Sequence, residues 1–410
     1  MQYGNYRKDG VEVDLGSVRG KPRLDPFYYA VGEPAPGKTL IEGVDEVGVV
    51  VPPAADHQGK TENDLLDELI VLIKAAVGRT PIEAVSLSGG LDSAIVAVVA
   101  KPKLVFSCAY DDYPELDLAI QVAETIGAKQ VVVRPTESDA RRSLANIVRA
   151  VGQPTFPSSA VGCWKLCEAM QEHGIHDAAD GTGPDELFGG YIRYLLVAME
   201  QAILDCPELR RYQGMLRRFW GGGVGHAARR YYNLLRSGGE ADGPVWEFVL
   251  EQFAIKRAAL VESMTRVDLQ LGMRGFVGMT SGCAKAHGIA WHSPLLDDDR
   301  IVSFALGLPD HCKVDPRAAL DGRMATKILL RRAARILGVP DRIIDRTDKQ
   351  GWVTPIARWF SGPLAVWAQE LRSRLATRGY ALRDDPSRGE FDQSAFADVC
   401  LELWLASLQQ

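Results

Sequence analysis

The sequence predicts an α/β fold: a parallel β-sheet of five or a similar number of strands, flanked by helices and followed by a mostly helical C-terminal part. Strand-like apolar runs alternate with helical patterns from Ile82 to about Ala179. Such alternation is typical of a parallel sheet with helices on its faces. From about Tyr191 onward the apolar residues keep helical spacing, interrupted by glycine-rich stretches. These two patterns together define the predicted fold class.

The chain is predicted to divide into a short N-terminal leader, residues 1–60, and one larger domain, residues 61–410. The leader is rich in Pro and Gly and contains β-like segments at 27–31 and 47–51. It is too short to build a core of its own. A helix is predicted to begin after Thr61, where Asp64 makes a near capping box, and to end at Gly78.

Strands and helices then alternate along the chain. We predict strands at 84–87, 104–109, 130–133 and 178–179, and helices at 94–100, 115–126, 138–151 and 159–173. In open parallel sheets, ligands bind at the carboxyl ends of the strands. The segments that directly follow the predicted strands are therefore the first place to look for a site.

The segment after the first of these strands has the composition of a phosphate-binding loop. It reads Ser88-Gly89-Gly90-Leu91-Asp92-Ser93 and leads into a small, apolar helix. Glycines allow backbone N–H groups to approach oxyanions, and a helix N-terminus adds positive potential. No lysine follows the glycines, so this is not the GxxxxGK(S/T) nucleotide loop. Asp92 within the loop predicts a Mg²⁺ ion bound on the phosphates.

A second acidic loop follows a later predicted strand end. It reads Asp180-Gly181-Thr182-Gly183-Pro184-Asp185-Glu186. Because it also follows a strand, it can face the first loop, so that Asp92 and Asp185 share one Mg²⁺ with phosphate oxygens. The alternative is a glycine-rich turn whose aspartate caps a helix. The presence of both loops in this order favours the metal site.

The first loop resembles the pyrophosphate loop of N-type ATP pyrophosphatases, which split ATP to AMP and pyrophosphate. Followed at this distance by the string Asp185-Glu186-Leu187-Phe188-Gly189-Gly190-Tyr191, it resembles the synthetase domain of asparagine synthetase B. Relatives of that domain include the β-lactam synthetases and the lasso-peptide cyclases. Three further segments, 287–297, 327–331 and 346–355, continue the resemblance, which runs from about Asn63 to Phe360. It implies an adenine nucleotide alpha-hydrolase-like fold.

The resemblance also implies roles for matching residues. The pyrophosphate end of ATP would be held by the first loop, at Ser88, Gly89, Gly90, Asp92 and Ser93. Mg²⁺ would be bound by Asp92 and Asp185. Adenosine would be contacted, largely through backbone, by Ser107, Cys108, Asp180 and Gly181.

Lysines in the later segments have implied roles as well. Lys349 would reach the α-phosphate and the leaving pyrophosphate, where a fixed cation stabilises developing charge; a solvated surface lysine is the alternative. For Lys327 a surface position on a helix is as strong an interpretation as a site role. Asp297 has turn-forming and helix-capping alternatives of equal weight.

Departures from the family pattern concern the substrate. Gln2 stands where glutamine-hydrolysing members have a nucleophilic cysteine, so we expect no glutaminase activity and take residues 1–60 as at most a remnant of that domain. Thr182 occupies a position beside the reacting acyl group that is Glu in asparagine synthetases and Tyr in β-lactam synthetases. Ala290 and His292 replace a usual Glu and Arg. Aspartate-binding features are therefore expected to be lost.

The resemblance implies an ATP- and Mg²⁺-dependent, AMP-forming ligase. It would adenylate a small-molecule or peptide carboxylate and form an amide with ammonia or an amine, within one molecule or between two; a separate protein could supply the ammonia or sulfur. Two alternatives stay open. One is a sulfur transferase that uses Cys108, although an inert core cysteine is the simpler interpretation. The other is a catalytically silent nucleotide-binding paralogue.

Composition limits the class of protein. With 410 residues, 46% hydrophobic and net charge −6, the chain is ordinary for a globular protein and acidic for a nucleic-acid binder. It has neither an apolar signal-peptide core near Met1 nor an uninterrupted apolar stretch of spanning length, so we expect a cytoplasmic protein without membrane association.

Two further features of the sequence have more than one interpretation. Cys163 and Cys167 lie on one helix face and are predicted to be a buried pair of reduced thiols rather than metal ligands. The stretch Gly221–Gly225 is either a lid over the acyl-adenylate or a plain connector.

Overall fold

A computed structural model describes residues 3, 5–32, 34–110, 115–154, 157–212, 214, 226–235, 243–255, 258–347, 354–383 and 394–409. The N-terminal leader forms a small antiparallel sheet of β1 (Tyr6–Lys8), β2 (Val11–Val13) and β3 (Val44–Glu46), in the order β2-β1-β3. A 3-10 helix (Leu15–Ser17) and α1 (Pro26–Val31) connect β2 to β3.

Both β-like segments predicted in the leader were wrong in position. Residues 27–31 belong to α1, because the Asp25 side chain accepts a hydrogen bond from the Tyr28 backbone N–H at 3.0 Å and a proline occupies the first helical turn. Residues 47–51 are not a strand, since β3 ends at Glu46.

The central sheet contains β4 (Ala84–Ser86), β5 (Leu104–Cys108), β6 (Lys129–Val133), β7 (Asp177–Ala179) and β8 (Ala290–His292). Its order is β6-β5-β4-β7-β8, and every neighbouring pair is parallel. The predicted five-stranded parallel sheet is confirmed. The chain moves outward from β4 to β6, returns to β7 and continues to β8, so the strand order reverses between β4 and β7.

Helices cover both faces of this sheet. The first five in the domain are α2 (Glu62–Arg79), α3 (Leu91–Ala100), α4 (Leu116–Ile126), α5 (Glu137–Val151) and α6 (Ala160–Glu172). Thr61 and Asp64 form the expected capping box, and Thr136 with Asp139 forms another at the start of α5. Helix α2 runs one residue past the predicted stop, to Arg79.

The rest of the chain is mostly helical, as predicted. It comprises α7 (Pro184–Leu187), α8 (Ile192–Asp205), α9 (Ala227–Leu235), α10 (Pro244–Phe253), α11 (Leu260–Gln270), α12 (Met273–Ala286), α13 (Pro294–Asp297), α14 (Asp299–Gly307), α15 (Pro316–Leu320), α16 (Ile328–Leu337), α17 (Asp341–Ile344), α18 (Ile356–Ser361), α19 (Ala365–Thr377) and α20 (Ser394–Ser407), with 3-10 turns at Pro207–Tyr212 and Asp310–Cys312.

Three hydrophobic clusters hold these elements together. The first joins α2, α3, α4 and α16 to one side of the sheet. The second joins α5, α6, α12 and α20 to the other side and includes Phe106 and Trp404. The third lies among α8–α11 and contains Tyr194 and Tyr231. The sheet is therefore enclosed on both faces, which leaves its strand ends as the accessible edges.

The leader is anchored to the domain by a buried ion pair. The Arg274 guanidinium on α12 donates from Nε to Glu46 Oε2 at 2.6 Å, and its other nitrogens donate to the carbonyls of Pro34 and Lys38 at 2.9 and 3.1 Å. Both ionic side chains are at least nine-tenths buried. A guanidinium that makes one charge-assisted hydrogen bond and two bonds to carbonyls is fixed in orientation. The leader therefore has a defined position against α12.

One stretch within the described ranges, Pro184–Asp205, is long and apolar enough by composition to cross a membrane. More than half of it, 56%, is buried inside the protein. It also contains the candidate metal ligand Asp185. We interpret it as part of the core.

Candidate active site

The two loops singled out from the sequence lie side by side. Loop 88–93 follows β4 and loop 180–185 follows β7, and these two strands are neighbours at the point where the strand order reverses. The backbone of Gly181 packs directly on loop 88–93: a Cβ there would overlap the Ser93 nitrogen. The crevice at such a reversal is the usual ligand position in open α/β sheets.

Loop 88–93 is held by its own hydroxyl groups. Ser93 Oγ accepts a hydrogen bond from the Ser88 backbone N–H at 3.2 Å and lies 3.1 Å from Ser88 Oγ. The Gly90 N–H donates to Ser88 Oγ at 3.3 Å. Gly90 is the N-cap of α3 and has no side chain with which to cap the helix. The first-turn N–H groups of α3 are therefore suited to an anionic ligand.

Asp92 and Asp185 converge on a single lysine. Lys327 Nζ lies 2.7 and 2.5 Å from the two carboxylate oxygens of Asp92 and 2.7 Å from Asp185 Oδ1. The lysine side chain is 3% exposed, against 12% and 18% for the two aspartates. A surface position for Lys327 is therefore wrong. One buried cation neutralises both candidate metal ligands.

Local backbone structure explains how Lys327 reaches this position. It is the N-cap of α16 and adopts the left-handed conformation, with φ 53° and ψ 37°, which is uncommon for a residue other than Gly, Asn or Asp. Opposite it, Gly190 leaves the space: a Cβ there would overlap both Asp185 Oδ1 and Lys327 Cε. Strained backbone conformations of this kind concentrate at functional sites.

The carboxylate pair fits a magnesium ion. Mg²⁺ prefers hard oxygen ligands and is commonly held by one or two carboxylates together with substrate phosphates, and Asp92 and Asp185 supply carboxylates next to the phosphate loop. Among the described residues no group of three or more His, Cys, Asp or Glu side chains forms a metal site. Within the described part of the chain, Asp92 and Asp185 are therefore the two carboxylates placed to hold a magnesium ion.

Residues flanking this cluster are buried as well. Glu186, which follows Asp185, accepts a hydrogen bond from the Tyr191 hydroxyl at 2.6 Å. Burial and the Asp185 carboxylate raise the pKa of Glu186 to about 8. Arg331, one helical turn after Lys327, donates to the Thr326 carbonyl at 2.9 Å. Lys327 therefore forms ion pairs with the two carboxylates directly, whereas Arg331 hydrogen-bonds to backbone carbonyls while its charge still acts on Asp92 and Asp185.

Asp180 and Thr182 form a second polar group. The Thr182 hydroxyl donates to Asp180 Oδ2 at 2.6 Å, and its backbone N–H donates to Oδ1 at 3.0 Å. Ser293, after β8, donates from Oγ to Asp180 Oδ1 at 2.8 Å. Asp180 thereby fixes the side chain of Thr182 and joins the ends of β7 and β8.

Asp297 combines a capping role with a position at a cavity. Its Oδ2 accepts a hydrogen bond from the Ser293 backbone N–H at 2.7 Å. With Asp180, Thr182 and Ser293 it also lines a cavity of about 410 Å³. His292, by contrast, places Nε2 2.9 Å from Asp177 Oδ1, and its neighbour Trp291 lines the cavity.

The predicted adenosine segment lies on the neighbouring strand. Ser107 Oγ donates to the Leu87 carbonyl at 2.6 Å and accepts from Gln130 Nε2 at 2.7 Å. Cys108 is 8% exposed at the end of β5. Both hydrogen bonds of the Ser107 side chain are made within the protein. At this strand end the backbone N–H and C=O groups are therefore the ones suited to contact a nucleotide.

The helix pair of cysteines is buried as predicted. Cys163 and Cys167 lie on one face of α6, and Cys283 of α12 contacts Cys163. Hydrogen bonds from Cys167 and Cys283 lower the pKa of the Cys163 thiol. The cluster forms no metal site among the described residues.

Lys349 and the Gly221–Gly225 stretch lie outside the described residues. Shortly before Lys349 in the chain, the Arg346 side chain forms an ion pair, with Nη1 2.7 Å from Glu115 Oε1. Gly89 packs against the Glu115 carbonyl, since a Cβ there would overlap that oxygen. The chain therefore passes beside the phosphate loop at Arg346, three residues before Lys349.

This chain is similar in sequence to several known proteins. A family model described as asparagine synthase matches residues 75–404. A Mycobacterium bovis protein named "Putative asparagine synthetase (glutamine-hydrolyzing)" is 26% identical over 317 residues, which is 69% of this chain and 46% of that protein. "Asparagine synthetase (glutamine-hydrolyzing) 1" of Bacillus subtilis is 25% identical over 337 residues, 73% of this chain and 50% of that protein. The chain spans about half the length of these relatives.

Among solved structures, NMN synthetase from Francisella tularensis is similar at 10% identity, over 72% of this chain and 100% of that chain, with a TM-score of 0.23. A likeness this distant adds nothing to the argument.

Proposed function

Because this chain belongs to the asparagine synthase family, we propose that it is an ATP-dependent ligase that adenylates a substrate carboxylate, releases pyrophosphate, and forms an amide bond with ammonia or an amine. The observation that carries the proposal is the convergence of Asp92 and Asp185 on Lys327 beside the phosphate loop. Two carboxylates and a cation at a helix N-terminus are the groups that phosphoryl chemistry requires.

In the first step the substrate carboxylate oxygen attacks the α-phosphorus of ATP, and the bond from that phosphorus to pyrophosphate breaks. Loop 88–93 would hold the pyrophosphate end through backbone N–H groups of Gly89, Gly90 and the start of α3. When bound at Asp92 and Asp185, Mg²⁺ would supply positive charge to the phosphate oxygens. Ser107, Cys108, Asp180 and Gly181 would border the adenosine, mainly by their backbone.

Lys327 would change partners when the nucleotide arrives. Its ammonium now compensates the two aspartates, and these carboxylates would instead be compensated by a bound magnesium ion. The lysine would then be available to the phosphate oxygens bound at loop 88–93. Lys349 would supply a second cation at the α-phosphate. The anchoring of Arg346 against Glu115, beside the loop, supports this position.

In the second step an amine attacks the acyl carbon and AMP leaves with the electrons of the broken C–O bond. The Thr182 hydroxyl donates a hydrogen bond to Asp180. Its oxygen lone pairs can therefore accept a hydrogen bond from the attacking amine. We assign Thr182 the role of orienting that amine. The Asp180 carboxylate keeps the hydroxyl in this orientation.

The proposal assigns no glutamine hydrolysis to this chain. The ammonia or amine would arrive free, or from another protein, and the reaction would take place in the cytoplasm. A sulfur transferase that uses Cys108 is the competing hypothesis. Retention of product formation by Cys108→Ser would remove that cysteine from the chemistry.

Product analysis tests the proposal. Wild-type protein, ATP, Mg²⁺ and a fractionated metabolite extract should release AMP and pyrophosphate, and Asp92→Asn and Asp185→Asn should lower the rate by about 10²–10³-fold. Asp45→Asn is the matched control, because this carboxylate pairs with Lys38 on the exposed leader. Release of ADP and phosphate, or wild-type rates in both site variants, would contradict the proposal.

A further inference from the structure

The cavity beside Thr182 has a wall that the family comparison does not account for. Tyr3 and Asn5 of the leader line it together with Phe276 and Val277 of α12. The Tyr3 hydroxyl donates to the Leu269 carbonyl at 3.0 Å, so this part of the leader is tied to the domain. The leader is therefore part of the wall of the cavity.

The charged side chains in the described lining of the cavity are all acidic. Its described lining includes the carboxylates of Asp180 and Asp297 and contains no Lys, Arg or His. Burial raises the pKa of Asp297 and the nearby Asp180 carboxylate adds to this rise, while the Ser293 N–H, the N-terminal ammonium and His292 oppose it. A further carboxylate placed here would meet repulsion in a poorly solvated site, whereas an ammonium group would be attracted.

The remaining surface is partly apolar. Phe276, Val277 and Trp291 contribute it, and the volume of about 410 Å³ falls within the usual range for small-molecule sites. Trp291 Nε1 is buried and has no hydrogen-bond partner among the residues that the structure describes. A buried donor without a partner is costly, so a ligand oxygen that accepted from it would be favoured.

From this lining we propose that the cavity binds the part of the substrate remote from the reacting carboxylate, and that it selects an amino-bearing acid with an apolar or aromatic body over a dicarboxylic acid. The inference rests on the proposed function, because it takes Thr182 to border the reacting group. Asn5 and Trp291 are then specificity-determining residues, and Asp297 sets the charge preference.

Three probes of equal chain length test this selection: 6-aminohexanoate, hexanoate and hexanedioate, which end in an ammonium, a methyl and a carboxylate group. Calorimetry with Mg²⁺ and a non-hydrolysable ATP analogue measures binding without turnover. We expect affinity to fall in that order, with at least about a tenfold difference between the first and the last. Equal or tighter binding of hexanedioate, or binding of none of the three, would overturn the inference.

Variants sharpen the result. Asp297→Asn should reduce the preference for 6-aminohexanoate severalfold, and Asn5→Lys should shift it toward hexanedioate. Asp177→Asn is the control, since that carboxylate faces His292 rather than the cavity. Trp291→Phe should weaken all three probes alike. Unchanged preferences in both Asp297→Asn and Asn5→Lys, with melting temperatures intact, would contradict the assignment.

Failure of this inference and failure of the proposed function give different results. If the probes bind in the expected order but no acid from the extract supports pyrophosphate release, the ligase function fails and the charge selection stands. If pyrophosphate is released and hexanedioate binds best, only the selection fails.

Discussion

Two buried charge clusters lie close together in this protein and are built differently. In the first, Asp92 and Asp185 share Lys327, a single side chain on a left-handed residue. In the second, the Asp268 carboxylate, 1% exposed, accepts hydrogen bonds from Arg193 at 2.5 Å, from the Tyr194 hydroxyl at 2.5 Å and from the Tyr231 hydroxyl.

The difference lies in which elements supply the partners of each carboxylate. Asp268 on α11 is contacted by rigid helices α8 and α9, and its partners pack in the third hydrophobic cluster. Asp92 and Asp185 lie in the first turns of α3 and α7, directly after strand ends, and both pair with Lys327. The charge of Arg331 also acts on both carboxylates. A multiply bonded carboxylate holds helices in register, whereas a carboxylate with one exchangeable cation can accept a ligand.

The largest expected effect is at the second cluster. Asp268→Ala removes the acceptor for three donors and leaves the Arg193 charge in a buried position, so the free energy of unfolding should fall by about 3–5 kcal/mol. Urea unfolding measures this loss. The exposed Asp321→Asn, whose carboxylate pairs with Arg323, is the control. A loss of stability close to zero would mean that the Asp268 cluster does not stabilise the fold and that this contrast with the first cluster is wrong.

Lys327→Met tests the first cluster. Removing the cation should lower the rate of pyrophosphate release by about 10²–10³-fold. It should also leave less positive charge beside Asp92 and Asp185, so the variant should gain more thermal stability from added Mg²⁺ than the wild type does. Melting curves with and without Mg²⁺ measure the difference. An identical response to Mg²⁺ in both proteins would argue against an exchangeable cation.

Lys313 provides a third case, a buried lysine with no hydrogen-bond partner at Nζ among the described residues. Burial lowers the pKa of Lys313 to about 8, partly offset by Asp310 and Glu262. The unfolded chain, with a pKa near 10.5, binds more protons between these values. The free energy of unfolding should therefore rise with pH across this window, by up to about 3 kcal/mol.

Denaturation of wild type and Lys313→Met at about pH 7.5 and about pH 9.5 measures this contribution. The wild type should gain stability relative to the variant at the higher pH. A gain of the same size in both proteins would assign the pH dependence to other groups.

The smallest loss in the free energy of unfolding is expected for an exposed polar side chain whose hydrogen bonds are made within its own helix end. Thr136→Ala removes the capping-box hydroxyl of α5 and should cost about 1 kcal/mol without changing the activity per folded molecule. Circular dichroism during thermal unfolding checks this, with Thr61→Ala on α2 as a second cap. A loss as large as that of Asp268→Ala would show that burial is not what separates these sites.

Much of the fold could be read from local patterns. The strand–helix alternation from Ala84 to Ala179 follows from apolar runs and caps, which act over a few residues. Strand β8 could not be located, because its three residues Ala290–His292 are half-buried or exposed and carry no alternating pattern. Helix α1 was mistaken for a strand because aromatic and β-branched residues outweighed the Asp-Pro signal at its start.

The candidate site could also be predicted in part from local sequence patterns. Loops 88–93 and 180–185 could be recognised because glycine, hydroxyl and carboxylate residues follow a strand within one short segment. The burial of Lys327 could not, since its two partners are about 140 and 235 residues away in sequence and nothing local distinguishes it from a surface helical lysine. The cavity wall formed by Tyr3 and Asn5 was equally hidden.

The sequence by itself determined the elements, the two loops and the family motifs, because these depend on neighbours in the chain. Only the tertiary structure decided which charges meet: that Lys327 joins Asp92 to Asp185, that His292 turns to Asp177, and that the leader borders the cavity. Such pairings depend on the parallel order of β4, β7 and β8, which sets loops distant in sequence side by side. Long-range contacts have no local signature, because burial and charge compensation are properties of the packed chain.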